Sequence, residues 1–216
     1  YPEMHRKLSL DESVFDTITD ESAYWIGFLM ADGCALRRGN ISQIVLGSVD
    51  LDHIEKFKSF MKSGHAITYV VKTNSYRIAV NSALLASRLA EYGVVPRKSL
   101  TARVNKLENN KHFWRGVIDG DGCIGLYKMD VSYMPKLELV GSCELLSQFR
   151  DFALDIIKSS ATVRPCKNIS RISFMGNTAG ELVRFLYADA SVYLERKMQR
   201  ALSIIEHIRP ERIIAR

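Results

Sequence analysis

The chain has 216 residues and the composition of an ordinary folded protein, with 47% apolar and 25% charged residues. No apolar run approaches the ~18 residues that cross a bilayer, and no signal-peptide pattern is present. We therefore expect no membrane partner and an intracellular location, either a bacterial cytoplasm or an organelle matrix. Four cysteines with no CxxC pair argue against a disulfide scaffold and a cysteine-rich zinc module. The net charge of +6 is only mildly basic, so the distribution of charge is more informative than its total.

Apolar periodicity and turn residues predict the same series of elements twice along the chain. In the first half we expect a helix over 20–31, strands over 34–38 and 41–48, a helix over 50–62, strands over 66–72 and 76–80, and a helix over 82–92. In the second half we expect a helix over 110–120, strands over 123–129 and 135–141, a helix over 143–158, strands over 161–166 and 169–174, and a helix over 177–188. The order αββαββα in each half is typical of an α+β fold with helices on one face of antiparallel sheets.

Local identities between the two halves indicate an internal duplication. The segment from Trp25 to Gly33 matches the segment from Trp114 to Gly122 at an offset of 89 residues, and both end in Asp-Gly. Further matches, in the same order, join residues 45–48 to 139–142 at an offset of 94 and residues 97–98 to 196–197 at an offset of 99. We therefore divide the chain into an N-terminal repeat (1–100), a linker (101–109) and a C-terminal repeat (110–216).

The predicted strands carry the excess positive charge. Counted with the turns that join them, over residues 34–49, 66–81, 123–142 and 161–174, they hold nine basic and two acidic residues, a surplus of seven, whereas the whole chain has a surplus of six. If helices cover one face of each sheet, the open face holds this charge. An ordinary solvated surface would mix the two signs, so the pattern favours binding of a nucleic acid through its phosphates.

Small residues four apart form one stripe on the first helix of each half, Gly27 with Ala31 and Gly116 with Gly120. Such a stripe allows two helix backbones to approach closely. Because both halves have it in register, we expect the two helices to pack against each other at the interface between the repeats.

The same packing would bring Asp32 and Asp121 together at the C-termini of these helices. Two carboxylates repel each other there, and the negative end of each helix dipole adds to the repulsion. A hard divalent cation removes the conflict, because magnesium prefers carboxylate and carbonyl oxygens. The pattern favours a metal site, and metal-assisted phosphodiester hydrolysis is the chemistry that suits it beside a basic sheet.

The segments Trp25–Gly33 and Trp114–Gly122 resemble the two motifs of a single-chain LAGLIDADG homing endonuclease, and the motif spacing and element order extend the resemblance over nearly the whole chain. The resemblance implies two antiparallel four-stranded sheets that form a saddle over DNA, with the motif helices packed at their interface. It implies a monomeric, sequence-specific endonuclease that makes a double-strand break with short 3′ overhangs in a long recognition site, in the homing of an intron or intein. The partner would be double-stranded DNA, with no small-molecule substrate.

The resemblance also implies roles for single residues. Asp32 and Asp121 would be the catalytic, metal-binding acids, with the carbonyls of Ala31 and Gly120 as further ligands. The cofactor would be Mg²⁺, which Mn²⁺ or Ca²⁺ could replace for binding. The lysines that match basic residues held near the scissile phosphates in the family are Lys98 and Lys197.

Two features depart from the family pattern. Met30 stands where the C-terminal motif has Asp119, and because this is not a metal-ligand position we expect only a change in packing. Some members place a glutamine near the end of the second strand to order the attacking water, whereas residues 47–48 and 141–142 are both Gly-Ser. Another group would then have to order the water, and the two sites need not be equally fast.

Strand alternation separates the core side of each sheet from the side that would face DNA. Residues 135–140 alternate clearly, and transferring their pattern through the repeat predicts that Ser42, Ile44 and Leu46 face DNA and that Gln43 faces the core. Arginine and amide side chains pair with bases, and basic groups contact phosphates. The predicted DNA-binding residues are Arg37, Arg38, Asn40, Ser42, Lys72, Asn74, Arg77, Lys128, Lys136, Glu138, Thr162, Arg164, Lys167, Asn168 and Arg171.

Other functions on the same scaffold stay open. An intron maturase or RNA-splicing cofactor would keep the basic surface without a need to cut DNA. A non-cleaving DNA-binding regulator is less favoured, because both motif aspartates are present. The chain could also be the endonuclease domain of an intein.

Overall fold

The computed structural model describes residues 8–38, 41–96 and 98–208, apart from the side chains of Arg37, Arg38 and Ser99. The helices in these ranges are α1 (Asp20–Ala31), α2 (Leu51–Phe60), α3 (Ala83–Glu91), α4 (Lys111–Asp121), α5 (Cys143–Leu154), α6 (Gly176–Tyr187) and α7 (Glu195–His207). The strands are β1 (Gly33–Arg38), β2 (Ile41–Ser48), β3 (Ile67–Val70), β4 (Ser75–Asn81), β5 (Gly122–Met129), β6 (Ser132–Gly141), β7 (Arg164–Cys166) and β8 (Ile169–Met175). None of these helices combines the length and the apolar character that a bilayer-spanning segment requires.

Each half forms one antiparallel four-stranded sheet with the same topology. The strand orders are β1-β2-β4-β3 and β5-β6-β8-β7. Apolar residues on one face of each sheet pack under the helices, as Ile78 and Ile172 do at equivalent places in β4 and β8. The predicted fold class, a tandem αββαββα arrangement of the α+β type, is confirmed.

The first helices of the two halves, α1 and α4, pack directly against each other. A Cβ atom at Gly27 would overlap the carbonyl of Phe113, and a Cβ at Gly116 would overlap the carbonyl of Tyr24. Both helices are buried along most of their length, which is possible because each covers the other as well as its own sheet. The predicted helix–helix interface between the repeats is confirmed.

The predicted side-chain directions are right for β6 and wrong for β2. Leu137 and Leu139 are fully buried, as expected. Ile44 and Leu46 are also buried, at 2% and 0% exposure, although they were predicted to face DNA. Ser42 shares their side of β2, so its predicted direction is wrong as well.

The error is a register slip of one residue. The matching Gly-Ser pairs suggested an offset of 94 between β2 and β6. In the sheets, Gly33 lies opposite Leu46 and Gly122 lies opposite Leu139, which makes the true offset 93. A shift of one residue along a strand moves every side chain to the other face.

The C-terminal helix α7 is the main element that was not among those predicted from the sequence. It begins at the position where the first half has a single 3-10 turn, Lys98–Leu100. Before α4, residues 101–110 form no helix or strand, but they are held firmly: the Gln148 side chain accepts from the Val104 N–H at 2.9 Å and donates to its carbonyl at 2.8 Å. The division into two repeats and a linker stays a prediction.

Candidate active site and nucleic-acid interface

Asp32 and Asp121 lie close together where the two central helices end. Asp32 caps the C-terminus of α1, and Asp121 is the last residue of α4. The Asp32 carboxylate reaches across to the other repeat, because its Oδ2 is 3.3 Å from the place that a Cβ on Gly120 would occupy. That Cβ would also overlap the side chain of Ala31. The small residues that allow close helix packing therefore also bring an acid of one repeat to the backbone of the other.

The surroundings of these acids disfavour two negative charges. Removal from water raises the pKa of Asp32, and the positive charges of Arg196, Lys197 and Lys98 oppose that shift. Removal from water and the negative charge of Asp32 together raise the pKa of Asp121 from an ordinary 3.8 to about 6. The protein thus holds a pair of acids whose ionised forms are in mutual conflict.

A buried lysine stands next to each acid, at equivalent places in the two repeats. Lys98 Nζ donates to the carbonyl of Gly33 at 2.5 Å, and Lys197 Nζ donates to the carbonyl of Gly122 and, at 3.2 Å, to that of Ile118. The two lysines are only 7% and 3% exposed. Removal from water lowers the pKa of both ammonium groups. Buried lysines of this kind are uncommon, so the repetition indicates a selected feature.

Asp119 supports the lysine of the second repeat. This fully buried carboxylate accepts hydrogen bonds from Tyr24 Oη at 2.7 Å, Tyr187 Oη at 2.5 Å and the backbone N–H of Leu194 at 2.7 Å. Leu194 precedes α7, which carries Lys197 in its first turn. Burial raises the pKa of Asp119, and the three donors oppose that shift. Asp119 therefore ties both central helices to the start of α7.

Met30, the counterpart of Asp119, packs in the first repeat without any polar role. Its side chain is 3% exposed, and its Cε is 3.3 Å from the place that a Cβ on Gly93 would occupy. Gly93 has a φ of 95°, a conformation that favours glycine. The expected packing change is present at Met30, but the exchange also removes an anchor that the second repeat has.

A polar network crosses the exposed face of the second sheet, with Glu138 at its centre. Glu138 Oε2 is 3.0 Å from Lys136 Nζ, accepts from Ser173 Oγ at 2.7 Å and lies 3.9 Å from a terminal nitrogen of Arg171. The Lys136 ammonium also lies over the ring of Tyr127. These contacts hold basic groups in fixed positions on the face that would meet DNA.

The exposed face of the first sheet is mainly neutral in its described part. Gln43 Nε2 donates to Asn81 Oδ1 at 2.9 Å across β2 and β4. The corresponding positions in the second sheet are Lys136 and Met175. Sequence reasoning missed Gln43 as a DNA-facing residue, and the signal was its amide, which has no place in an apolar core.

The remaining predicted DNA-binding residues fall into four groups. Arg77 and Arg171 occupy equivalent exposed positions on β4 and β8, and Arg164 pairs with Arg171 from the edge strand β7. Exposed positions in turns or beside the edge strands are taken by Lys72, Asn74, Thr162, Lys167 and Asn168. Lys128 is exposed, but it shares its side of β5 with Ile124 and Leu126, which pack under the helices, so it does not project from the face that carries Lys136 and Glu138. Asn40 and the side chains of Arg37 and Arg38 lie outside the described part of the chain.

The donor groups at the helix ends fit a hard divalent cation. Within the described ranges, no cluster of three or more His, Cys, Asp or Glu side chains could enclose a metal ion. Asp32 and Asp121 offer two carboxylates, and the carbonyls of Ala31 and Gly120 belong to last helical turns, where carbonyls lack intrahelical donors. Proteins commonly bind magnesium through one or two carboxylates, with water and substrate phosphates completing the shell.

Comparison with known proteins shows a likeness of structure without a detectable likeness of sequence. No family model and no curated protein sequence matches the chain. The LAGLIDADG meganuclease I-AabMI bound to uncleaved DNA matches with a TM-score of 0.63 and 11% identity over 88% of this chain and 90% of that one. The LAGLIDADG homing endonuclease I-GzeII in complex with its DNA target matches with a TM-score of 0.61 and 11% identity over 90% and 94%. I-SmaMI bound to an uncleaved DNA target in the presence of calcium ions matches with a TM-score of 0.60 and 10% identity over 90% and 95%.

The chain therefore has the fold of the LAGLIDADG homing endonucleases, as its two motif helices predicted. The matches cover nearly the full length of these proteins. At such low identity the likeness establishes architecture, and the arguments for activity come from this chain's own residues.

Proposed function

We propose that this protein is a sequence-specific DNA endonuclease that makes a metal-dependent double-strand break with short 3′ overhangs in a long recognition site. In the cell it would serve the homing of an intron or intein, acting as a monomer on duplex DNA. The observation that carries the proposal is a repeated unit: a motif acid, Asp32 or Asp121, beside a buried lysine, Lys98 or Lys197, that binds the next carbonyl. A purely structural role does not explain why the protein combines two such units with two sheets whose outward faces are polar.

The symmetry of the site suits duplex DNA. The two strands of a duplex present phosphates that are related by a two-fold axis, and the two repeats present acids and lysines in the same relation. One unit per strand would give a break in both strands. The pseudo-two-fold relation also removes the need for a second copy of the chain.

Asp32 and Asp121, with the carbonyls of Ala31 and Gly120, would hold the cation. We expect Mg²⁺ in the cell, and Mn²⁺ or Ca²⁺ able to replace it for binding. When bound, such a cation lowers the pKa of water and stabilises negative charge on a phosphate. Its binding would also relieve the repulsion that raises the pKa of Asp121.

The lysines would act on the charge that develops at the phosphate. Lys98 and Lys197 are fixed by backbone carbonyls in a desolvated place, so little reorganisation is needed when the reaction begins. An ammonium held in this way stabilises a developing negative charge more than it would in water. The Gly47-Ser48 and Gly141-Ser142 segments leave the ordering of the attacking water to other groups.

The test is cleavage of a plasmid library in the presence of Mg²⁺ by the parent chain and by the Asp32→Asn and Asp121→Asn variants. We expect discrete double-strand breaks with short 3′ overhangs from the parent. Each variant should lose the break or leave only nicks, because one carboxylate no longer binds the cation.

Asp155→Asn is the matched control for these variants. Asp155 also caps the C-terminus of a helix, α5, and is exposed, but it lies outside the site. This variant should cut as the parent does. Tight binding of DNA or RNA without any cutting by the parent would overturn the proposal and favour a maturase, a splicing cofactor or a DNA-binding regulator.

A further inference from the structure

An ion pair joins the two repeats next to the candidate active site. Arg196, in the first turn of α7, donates from Nε to Oδ2 of Asp50 at 3.0 Å, and Asp50 lies just before α2 of the first repeat. Arg196 keeps 45% of its side chain exposed, whereas Asp50 is 22% exposed. Neither terminal nitrogen of Arg196 hydrogen-bonds to any residue that the structure describes. The guanidinium is therefore held by one edge and open at the other.

Asp50 gives up its ordinary local role to make this contact. It is the N-cap residue of α2, a position where an aspartate usually accepts from a backbone N–H of the first turn. Its side chain makes no such bond. Ser142, the N-cap residue of α5 in the second repeat, does cap its helix by accepting from the Leu145 N–H at 3.1 Å. The Asp50 side chain turns toward Arg196 instead, and its Oδ2 also accepts from Ser48 Oγ at 3.4 Å.

Arg196 is also placed against the local electrostatic preference. The N-terminal end of a helix carries partial positive charge, which disfavours a cation in its first turn. Lys197 stands next to it and adds a further positive charge. A contact between the Lys56 ammonium and the Tyr193 ring, 5.3 Å to the ring centroid, fixes the segment before α7 against α2. Arg196 therefore occupies a position where its positive charge needs nearby negative groups to stabilise it.

The negative groups are Asp50 and Asp32. Removal from water raises the pKa of Asp32, and Arg196 is the first of the nearby charges that lower it. Asp121 is influenced instead by Asp32, Lys98 and Lys197. The ion pair therefore influences the charge of Asp32 more strongly than that of Asp121.

The N-cap position of α5, which corresponds to that of Asp50 in α2, carries a serine instead of a carboxylate. The equivalent residue, Ser142, donates its hydroxyl to the carbonyl of Ala102. The repeat partner of Arg196 in the sequence is Arg97, which lies outside the described part of the chain. A guanidinium is the side chain best suited to grip a phosphate through parallel N–H groups.

We propose that Asp50 is a positioning residue that aims Arg196 at the phosphodiester beside Asp32, so that the strand cut there is broken faster than the other. This inference rests on the proposed endonuclease function. Arg196 would contact the substrate, and Asp50 would act only through Arg196.

The test measures the cutting rate of each strand separately, under single-turnover conditions. The probe is a plasmid that carries a site recovered from the library selection, with nicks mapped on both strands. The parent should cut one strand first. Asp50→Asn and Arg196→Ala should slow that same strand by about tenfold or more, because a misplaced phosphate contact loses its effect, and should leave the other strand within about twofold.

Two comparisons separate positioning from a loss of structure. Asparagine is as good an N-cap as aspartate, so Asp50→Asn should fold normally, and Asp50→Glu should keep most of the preference for one strand. Asp52→Asn removes an equal charge from the first turn of α2, where Asp52 pairs with Lys56, and should cut as the parent does. In an Arg196→Ala background, Asp50→Asn should have no further effect on either strand.

Equal slowing of both strands, a normal preference in Asp50→Asn, or additive effects in the double variant would each overturn the inference. A parent that cuts both strands at the same rate would also overturn it while leaving the endonuclease proposal intact. A parent that cuts nothing would overturn both.

Discussion

The two repeats bring a lysine to the same carbonyl but support it in different ways. In the second repeat, Lys197 begins a full helix whose start is fixed by the buried carboxylate of Asp119. In the first repeat, Lys98 lies in a single 3-10 turn, and the position of Asp119 is taken by Met30. The lysine ammonium group has the same position in both repeats, although different residues support it. Its position is therefore the feature that both repeats must keep.

The outward faces of the two sheets also differ, because the second sheet carries more charged side chains. Equivalent positions on the faces turned away from the helices carry Gln43 and the buried Val45 in the first sheet but the half-buried Lys136 and Glu138 in the second. The charged pair of the second sheet belongs to a network, whereas Gln43 makes one amide contact. A protein with two unlike faces is suited to a recognition site whose halves differ in sequence. Substitutions at the unequal positions test what these differences contribute to stability and to DNA binding.

The largest effect is expected at the unequal motif position. Asp119→Asn should lower the free energy of unfolding by about 3 kcal/mol, because one amide cannot accept from two tyrosine hydroxyls and a backbone N–H. Met30→Leu should cost less than about 1.5 kcal/mol, because it keeps the volume of an apolar side chain. Urea unfolding measures the loss in both variants, provided that the slope of the unfolding free energy against urea concentration is unchanged. Similar losses at the two positions would contradict the asymmetry.

The next effect tests the corrected register of β2. Gln43→Ala should weaken discrimination at one base pair of the site by about 1–3 kcal/mol, because an exposed amide can pair with adenine. Ser42→Ala, one residue away and on the helix-covered side, is the matched control and should change binding less than about twofold. Competition binding with duplexes altered at single positions measures the difference. A larger loss of discrimination in Ser42→Ala than in Gln43→Ala would contradict the register of β2 described here.

The smallest effect concerns the burial of the Asp121 carboxylate and its repulsion by Asp32. The folded-state pKa of Asp121 is raised from 3.8 to about 6, so its ionised form destabilises the fold above pH 6, and this cost disappears as the pH falls toward 4. Without a divalent cation, Asp121→Asn should therefore raise Tm at pH 8 by about 2–4 °C, or about 1 kcal/mol once solvent screening is allowed for.

At pH 4 the same variant should melt as the parent does, because the parent carboxyl is then protonated. Added Mg²⁺ should narrow the difference at pH 8 by stabilising the parent alone. Asp155→Asn provides the comparison for a helix-ending acid outside the candidate site. A variant that melts below the parent at pH 8 would show that Asp121 stabilises the fold, contrary to this account.

Much of the fold could be predicted because it depends on patterns of residues that are close together in the chain. The stripe of Gly27, Ala31, Gly116 and Gly120 specified a helix pair, since only small residues allow that approach. The alternation in β6 separated core from surface without ambiguity. The order of strands and helices followed from the period of the apolar residues, and the duplication made each half a check on the other.

Other features could not be predicted because they depend on contacts between distant segments. The direction of Ser42 was wrong because an identical Gly-Ser pair marked the wrong register, and only the ladder with β1 shows the offset of 93. The helical spacing of Met198, Ala201 and Ile204 could have predicted helix α7, but not its anchor at Asp119, far away in the chain. Local propensity carries no record of such an anchor.

The sequence by itself determined the duplication, the element order and the pair of acids, because each depends on residues that are neighbours in the chain or repeat at a fixed spacing. Only the tertiary structure decided that Lys98 and Lys197 are buried on the carbonyls beside those acids and that Arg196 crosses to Asp50. A charged side chain is buried or turned across an interface only when partners from other segments offset its desolvation. Those partners become neighbours only when the chain has folded.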